Sequence, residues 1–186
     1  VPRVLHAVHA VAVSPDSRLL ATAGGEGIGL MFVPAASVFG TPANSSLGLG
    51  VIGCGGRGTG AAQDCILTNA NVELVAMGDL FPDHMTACKK ALKDSLGDKY
   101  AVKDENCFLG FDAYQKVIAS DVDLVILATP PGFRPGHIAA AVDAGKHVFA
   151  EKPVATDAAG ARSVIESAKK IKEKKLGFVC GTQRRQ

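Results

Sequence analysis

Leu47-Gly48-Leu49-Gly50-Val51-Ile52-Gly53-Cys54-Gly55-Gly56-Arg57-Gly58-Thr59-Gly60 is the stretch that decides the fold of this chain. An apolar run that reads as a strand leads directly into glycines on a G-x-G-x-x-G spacing, at Gly53, Gly55 and Gly58. In a dinucleotide site each glycine has a physical task. The first permits a tight turn out of the strand, the second lets the backbone approach a pyrophosphate, and the third lets the next helix pack close to the sheet. The N-terminus of that helix offers N–H groups and a partial positive charge to the phosphates. With 21 glycines in 186 residues the spacing alone is weak. Its position between a strand and a helix is what makes it informative.

The second half of the pattern follows. Val72-Glu73-Leu74-Val75-Ala76 reads as a strand, and it runs through Met77 and Gly78 to Asp79, 21 positions after Gly58. A carboxylate about 20 residues downstream accepts hydrogen bonds from the ribose hydroxyls of NAD. It repels the 2′-phosphate of NADP, and Leu80-Phe81-Pro82 supplies no arginine to offset that. The alternative is that Asp79 only starts a turn.

Beyond this unit the chain alternates helix and strand. Helices are predicted over 57–68, 82–95, 112–119, 135–144 and 157–175, and strands over 107–109, 122–128, 147–150 and 177–181. The second helix begins with Pro82 and Asp83 and carries Met85, Cys88, Ala91 and Leu92 as its apolar face, while Gly145 stops the fourth. The last helix presents Ala161, Val164, Ile165, Ala168 and Ile171 as its apolar residues. Val122–Ala128 is nearly continuously apolar, as a parallel strand covered on both faces should be. The fold class expected is α/β, a doubly wound parallel sheet. Ligands of such sheets bind beyond the C-terminal ends of the strands. Those ends fall at 53–58, Asp79, 129–131, 151–153 and 182–184.

Hydrophobic content of 47% and charged content of 20% suit a buried core, and a net charge of +2 is too small to imply nucleic acid. The cluster Lys169, Lys170, Lys172, Lys174 and Lys175 reads as a solvated helix C-terminus. Cys54, Cys65, Cys88, Cys107 and Cys180 form no C-x-x-C pair, so no metal site is expected and reduced thiols are the default. Cys54 is assigned no chemistry. His6, His9, His84 and His147 read as structural or exposed.

Residues 1–46 differ from the rest, with no charged residue from Gly27 to Gly56. Two readings stand open. The apolar run Ile28–Phe39, preceded by Arg18 and followed by the linker 41–46, resembles a degraded export signal. The stretch Val8–Gly27 looks like part of one propeller blade, which cannot bury its faces without neighbours. Both make 1–46 an extension of a domain over 47–186. The run is too short for a stable membrane span. The compartment expected is the cytoplasm, or the exported side if residues 14–40 act as a signal.

Asp123-Leu-Val-Ile-Leu-Ala-Thr-Pro-Pro131 leading to His137, and Ala144-Gly-Lys-His-Val-Phe-Ala-Glu-Lys-Pro153, complete a resemblance with the loop at 50–58. Together they resemble the glucose–fructose oxidoreductase, inositol dehydrogenase and MocA family over about residues 47–186. The resemblance implies a nicotinamide-dependent oxidoreductase acting on a sugar, polyol or related hydroxyl compound, with NAD favoured over NADP. The cofactor-binding residues it implies, with the loop and Asp79, are Gly53, Gly55, Gly56, Arg57, Gly58, Asp79, Thr129, Pro130, Pro131, His137, Glu151 and Lys152. Lys152 is the implied catalytic residue, its ammonium stabilising alkoxide charge on the substrate hydroxyl. A cis Lys152–Pro153 bond is also implied. Lys152 as an ordinary exposed lysine and His137 as a packing residue are the bland alternatives. Gln183 and Arg184 close the last strand with weaker support. Family members continue into a second α/β domain that carries the substrate pocket, an acid–base Asp and His, and the usual surface for homo-oligomer contacts. No residue of 1–186 is assigned those roles. The rival functions are a non-catalytic NAD(H)-binding module and, more remotely, a methyltransferase-like sheet.

Overall fold

A computed structural model describes residues 8–13, 20–24, 27–31, 46–69 and 71–182, the first three stretches by backbone alone. Those three are β1 (Val8–Val13), β2 (Leu20–Gly24) and β3 (Gly27–Met31), an antiparallel meander in the order β1-β2-β3. His6, Arg18, residues 32–39 of the apolar run, 41–45 of the linker, and Gln183 and Arg184 lie outside the described residues.

The main sheet begins at β4 (Leu47–Ile52) and α1 (Gly56–Thr68). It continues through β5 (Val72–Asp79), α2 (Pro82–Leu96), β6 (Cys107–Leu109), α3 (Ala113–Ala119), β7 (Leu124–Leu127), α4 (Arg134–Asp143), β8 (His147–Glu151), α5 (Ala158–Glu173) and β9 (Phe178–Gly181). Strand order is β6-β5-β4-β7-β8-β9, with every pairing parallel. The order reverses between β4 and β7, and that switch point opens a crevice at the strand ends. The doubly wound parallel sheet expected from alternation is the observed fold.

Two apolar layers cover the sheet. Leu49 and Val51 of β4, Ile126 of β7 and Phe149 of β8 join Ala62, Ile66, Cys88 and Leu92 of α1 and α2 on one face. Ile52, Val125, Leu127, Val148 and Ala150 join Val117 of α3 and Ile138, Ala141 and Val142 of α4 on the other. All four residues of β7 are buried, which is why this strand reads as a continuous apolar run and not an alternating one.

The helix ends follow local chemistry. Pro82 and Asp83 open α2. Asp157 caps α5, its Oδ1 accepting from Gly160 N at 2.7 Å. At the end of α4, Gly145 has φ 75°, its N–H donates to Val142 O, and Lys146 N donates to Ala141 O, a Schellman turn. Lys174 of the basic cluster donates from Nζ to Val142 O and Asp143 O at 3.0 and 2.7 Å, capping α4 from α5.

Two sequence expectations need correction. Ala91 is exposed, and α2 buries Met85, Cys88, Leu92 and Leu96 instead. In α5 the inward stripe is Val164, Ser167 and Ile171, with Ile165 57% exposed. The helix packs on α4 by one narrow face, so hydrophobicity alone misassigned its phase.

Gly58 is where helix and sheet meet. A Cβ there would lie 1.8 Å from Gly53 O, whereas at Gly60 nothing lies within 4 Å. G58A is therefore expected to cost several kcal/mol, because backbone must move, as in other overpacked cores. G60A should stabilise by roughly 0.5–1 kcal/mol through helix propensity. Urea unfolding of the two variants checks this pair, and equal stabilities would refute it.

Candidate cofactor site

Gly53 turns the chain out of β4 with φ 98°, a conformation suited to glycine, and its N–H donates to Gly78 O at 2.8 Å. Gly55 then serves as the N-cap of α1, with no side-chain cap and no acidic residue in the first turn. A Cβ at Gly55 or Gly56 would meet nothing within 4 Å. The helix therefore presents uncapped N–H groups to open space, a donor set that matches an oxyanion.

Asp79 ends β5 beside this loop and is 9% exposed. Its Oδ2 accepts from Cys54 N, and its Oδ1 accepts from Phe81 N at 2.9 Å. The carboxylate thus joins the glycine loop to the turn before α2. A carboxylate has about four acceptor positions, so it retains capacity for a ligand's hydroxyls. His84 Nδ1 lies 3.6 Å from Asp79 Oδ1, and the His84 ring meets Phe81 edge-on at 5.3 Å. His84 is exposed, as expected, and lines the cleft.

The cleft encloses about 520 Å³ at the switch point. Of the expected cofactor residues it gathers Gly53, Gly55, Asp79, Thr129, Pro130 and His137 on its walls. Gly56, Arg57, Gly58, Pro131, Glu151 and Lys152 are not on those walls. Gly58 is buried in the helix–loop contact, and Lys152 is exposed at the end of β8. The Lys152–Pro153 bond is cis, as the resemblance implies. Sequence reading missed the aromatic side of the cleft. Phe111 and Phe133 are 73% and 49% exposed with centroids 6.5 Å apart, and Tyr114 stacks on His137 at 4.1 Å. It also missed Arg134, which was hidden in a helix start. Arg134 is 5% exposed, its Nη1 donates to Pro153 O, and its buried Nε has no hydrogen-bond partner.

His137 shares a 3.1 Å hydrogen bond with Thr129 Oγ1 through Nδ1. Burial pushes its imidazole down to about 4, so it is neutral at pH 7. Burial also lowers Arg134, partly offset by the charge of Glu151. The neighbouring Cys88 and burial hold the Cys54 thiol, whose Sγ donates to Gly78 O at 3.6 Å, above the ordinary thiol range, which leaves it protonated and unreactive. His147 is half-buried and accepts from Gly177 N at 2.8 Å, a structural role. Among the described residues no group of three His, Cys, Asp or Glu is arranged to hold a metal ion, and no helix is long and apolar enough to cross a membrane.

A glycine turn, an uncapped helix N-terminus and a carboxylate at the next strand end, all at the switch point of a parallel sheet, define a dinucleotide-binding domain. The family model for the oxidoreductase family with an NAD-binding Rossmann fold, GFO_IDH_MocA, matches residues 47–177. This chain belongs to that family. An inositol 2-dehydrogenase of Klebsiella pneumoniae strain 342 is 31% identical over 136 residues, covering 72% of this chain and 37% of the relative. One from Pseudomonas syringae pv. syringae is 32% identical over 124 residues, covering 66% and 33%. Scyllo-inositol dehydrogenase of Lactobacillus casei, solved with NAD(H) and scyllo-inositol, superposes with a TM-score of 0.59 at 25% identity, over 75% of this chain and 37% of that one. The chain thus spans little more than a third of the length of these relatives.

The neutral state of His137 has a consequence for stability. Its value in the folded chain lies below the ordinary 6.5, so the unfolded chain binds more protons in between. This contribution is whole above pH 6.5 and is lost as the pH falls through about 4, amounting to up to about 3 kcal/mol. The stability advantage of wild type over H137Q should therefore shrink between pH 6.5 and 4 in urea titrations. Parallel pH profiles for the two proteins would show that His137 is not buried in its neutral form.

Proposed function

We propose that residues 47–186 form the cofactor domain of an oxidoreductase that moves a hydride between NAD(H) and a hydroxyl-bearing carbon of a polyol or sugar. Residues 1–46 are an extension to it. The observation that carries this reading is the convergence of the uncapped α1 N-terminus, Asp79 and the Lys152 strand end along one edge of the sheet. The polyol assignment draws on relatives named as inositol dehydrogenases.

In this reading the first turn of α1 binds the pyrophosphate through backbone N–H groups. Asp79 accepts the adenosine ribose hydroxyls on the lone pairs left by Cys54 N and Phe81 N. Its negative charge, with no arginine at 80–82, disfavours a 2′-phosphate and so favours NAD over NADP. Thr129 and Pro130 line the path toward the reacting end, and His137 holds Thr129 in place by their hydrogen bond. The bound nicotinamide supplies the hydride chemistry. Lys152 is the catalytic residue, its ammonium donating to the substrate hydroxyl oxygen and stabilising negative charge that grows there. The substrate pocket and any oligomer contacts belong to a second domain of the kind the relatives' extra length accommodates. Free cysteines at 54, 65, 88, 107 and 180 fit a reducing compartment, the cytoplasm.

The sequence has no tryptophan, so nicotinamide fluorescence can be followed without energy transfer from tryptophan. Wild type is expected to bind NADH at least about tenfold more tightly than NADPH, a difference of about 1.4 kcal/mol. D79S should narrow that ratio, with circular dichroism showing the fold retained. Binding of neither nucleotide by the folded chain would defeat the cofactor assignment, and an unchanged ratio in D79S would defeat the role of Asp79.

A further inference from the structure

Arg57 lies in the first turn of α1, yet its side chain runs to Glu151 at the end of β8. Its Nε donates to Glu151 Oε1 at 2.7 Å, and its Nη2 lies 2.6 Å from the same oxygen. The partners are 94 residues apart in sequence, and β7 lies between β4, which leads into α1, and β8, which carries Glu151. The Glu151 side chain is only 4% exposed, that of Arg57 37%. The other carboxylate oxygen, Oε2, accepts from Lys152 N at 3.3 Å. One end of this carboxylate is thus held by the first turn of α1, while the other holds the peptide of the lysine at the strand end. Space for it exists because β9 carries glycine at 181, where a Cβ would lie 2.7 Å from Oε1.

The same turn is held by a second arginine. Buried Arg134 at the start of α4 donates to Pro153 O. Residues 151 and 153 are therefore each tied by an arginine, and Lys152 stands exposed between them. Fold stability does not require such an arrangement. A buried ion pair roughly breaks even against apolar packing, because desolvation offsets its attraction. What it supplies is a defined distance between the N-terminus of α1 and the end of β8.

We propose that Arg57 is a positioning residue for the reacting end: through Glu151 it fixes the backbone that presents Lys152 to the nicotinamide, and it is not a direct ligand of the pyrophosphate. The inference rests on the NAD(H) reading above. It departs from the sequence expectation that Arg57 and Glu151 both touch the cofactor. Arg134 completes the device by holding Pro153.

The test compares NADH with ADP-ribose, which shares the adenosine and pyrophosphate but lacks the nicotinamide. The 186-residue chain is titrated with each by calorimetry. R57M should weaken NADH about tenfold and ADP-ribose less than twofold. R57K should recover part of the NADH affinity, since an ammonium can still reach the carboxylate. R57M alone strands a buried carboxylate, so the doubly neutral R57M/E151Q carries the comparison if R57M does not fold. It should lose NADH selectively and to the same extent, because both residues act through one contact. Equal losses for the two ligands would make Arg57 a pyrophosphate ligand and overturn the proposal. Unchanged affinity for both would overturn it by making the pair inert. A folded wild type that binds neither ligand fails the cofactor reading itself, and that result is distinct from either.

Discussion

The close approach of α1 to the loop that precedes it governs the rest of the domain. Gly58 lies against the Gly53 carbonyl at a distance no side chain tolerates. That contact brings the first turn of the helix to the end of β4, with its donors pointing past the strand. Asp79 then ties the loop from the next strand by accepting from Cys54 N. Two small residues and one carboxylate thereby create an anion-facing helix end beside an acceptor for hydroxyls. The pairing is electrostatically selective: the helix N-terminus attracts negative charge, and the carboxylate a few ångströms along repels it.

The cleft has two chemically different halves. Toward β5 and β6 it is bounded by Asp79, His84, Phe81 and Phe111, a set that combines polar atoms with open aromatic faces. Toward β7 and α4 it is bounded by Thr129, Pro130, Phe133, Arg134 and His137. There the polar groups are mostly engaged by protein: His137 by Thr129 and Tyr114, and Arg134 by Pro153. Rigid partners of this kind preset the geometry before any ligand arrives, which lowers the ordering cost of binding.

Much of this was legible in the sequence because it depends on local spacing. The glycine triplet, the carboxylate 21 residues on, the apolar run at 122–128 and the Gly145 stop are all short-range patterns with short-range causes. The rule that ligands gather at strand ends brought Thr129, Pro130 and Glu151 onto one edge without further information. The misses have a common origin. Ala91 and Ile165 are apolar but face water, since helical periodicity fixes a stripe only once the packing partner is known. His84 and Arg134 carried no motif, and their importance comes from what lies opposite them.

By itself, then, the sequence determined the alternating elements, the parallel sheet they form and the turn chemistry at its edge. These follow from backbone sterics and side-chain periodicity, which act over a few residues. Only the tertiary structure decided which of the edge residues share a cleft and which serve each other. The strand order β6-β5-β4-β7-β8-β9 brings Arg57 to Glu151 across 94 residues and sets Tyr114 against His137. No local pattern encodes those pairings, because they depend on the distances between strand ends after the sheet has assembled.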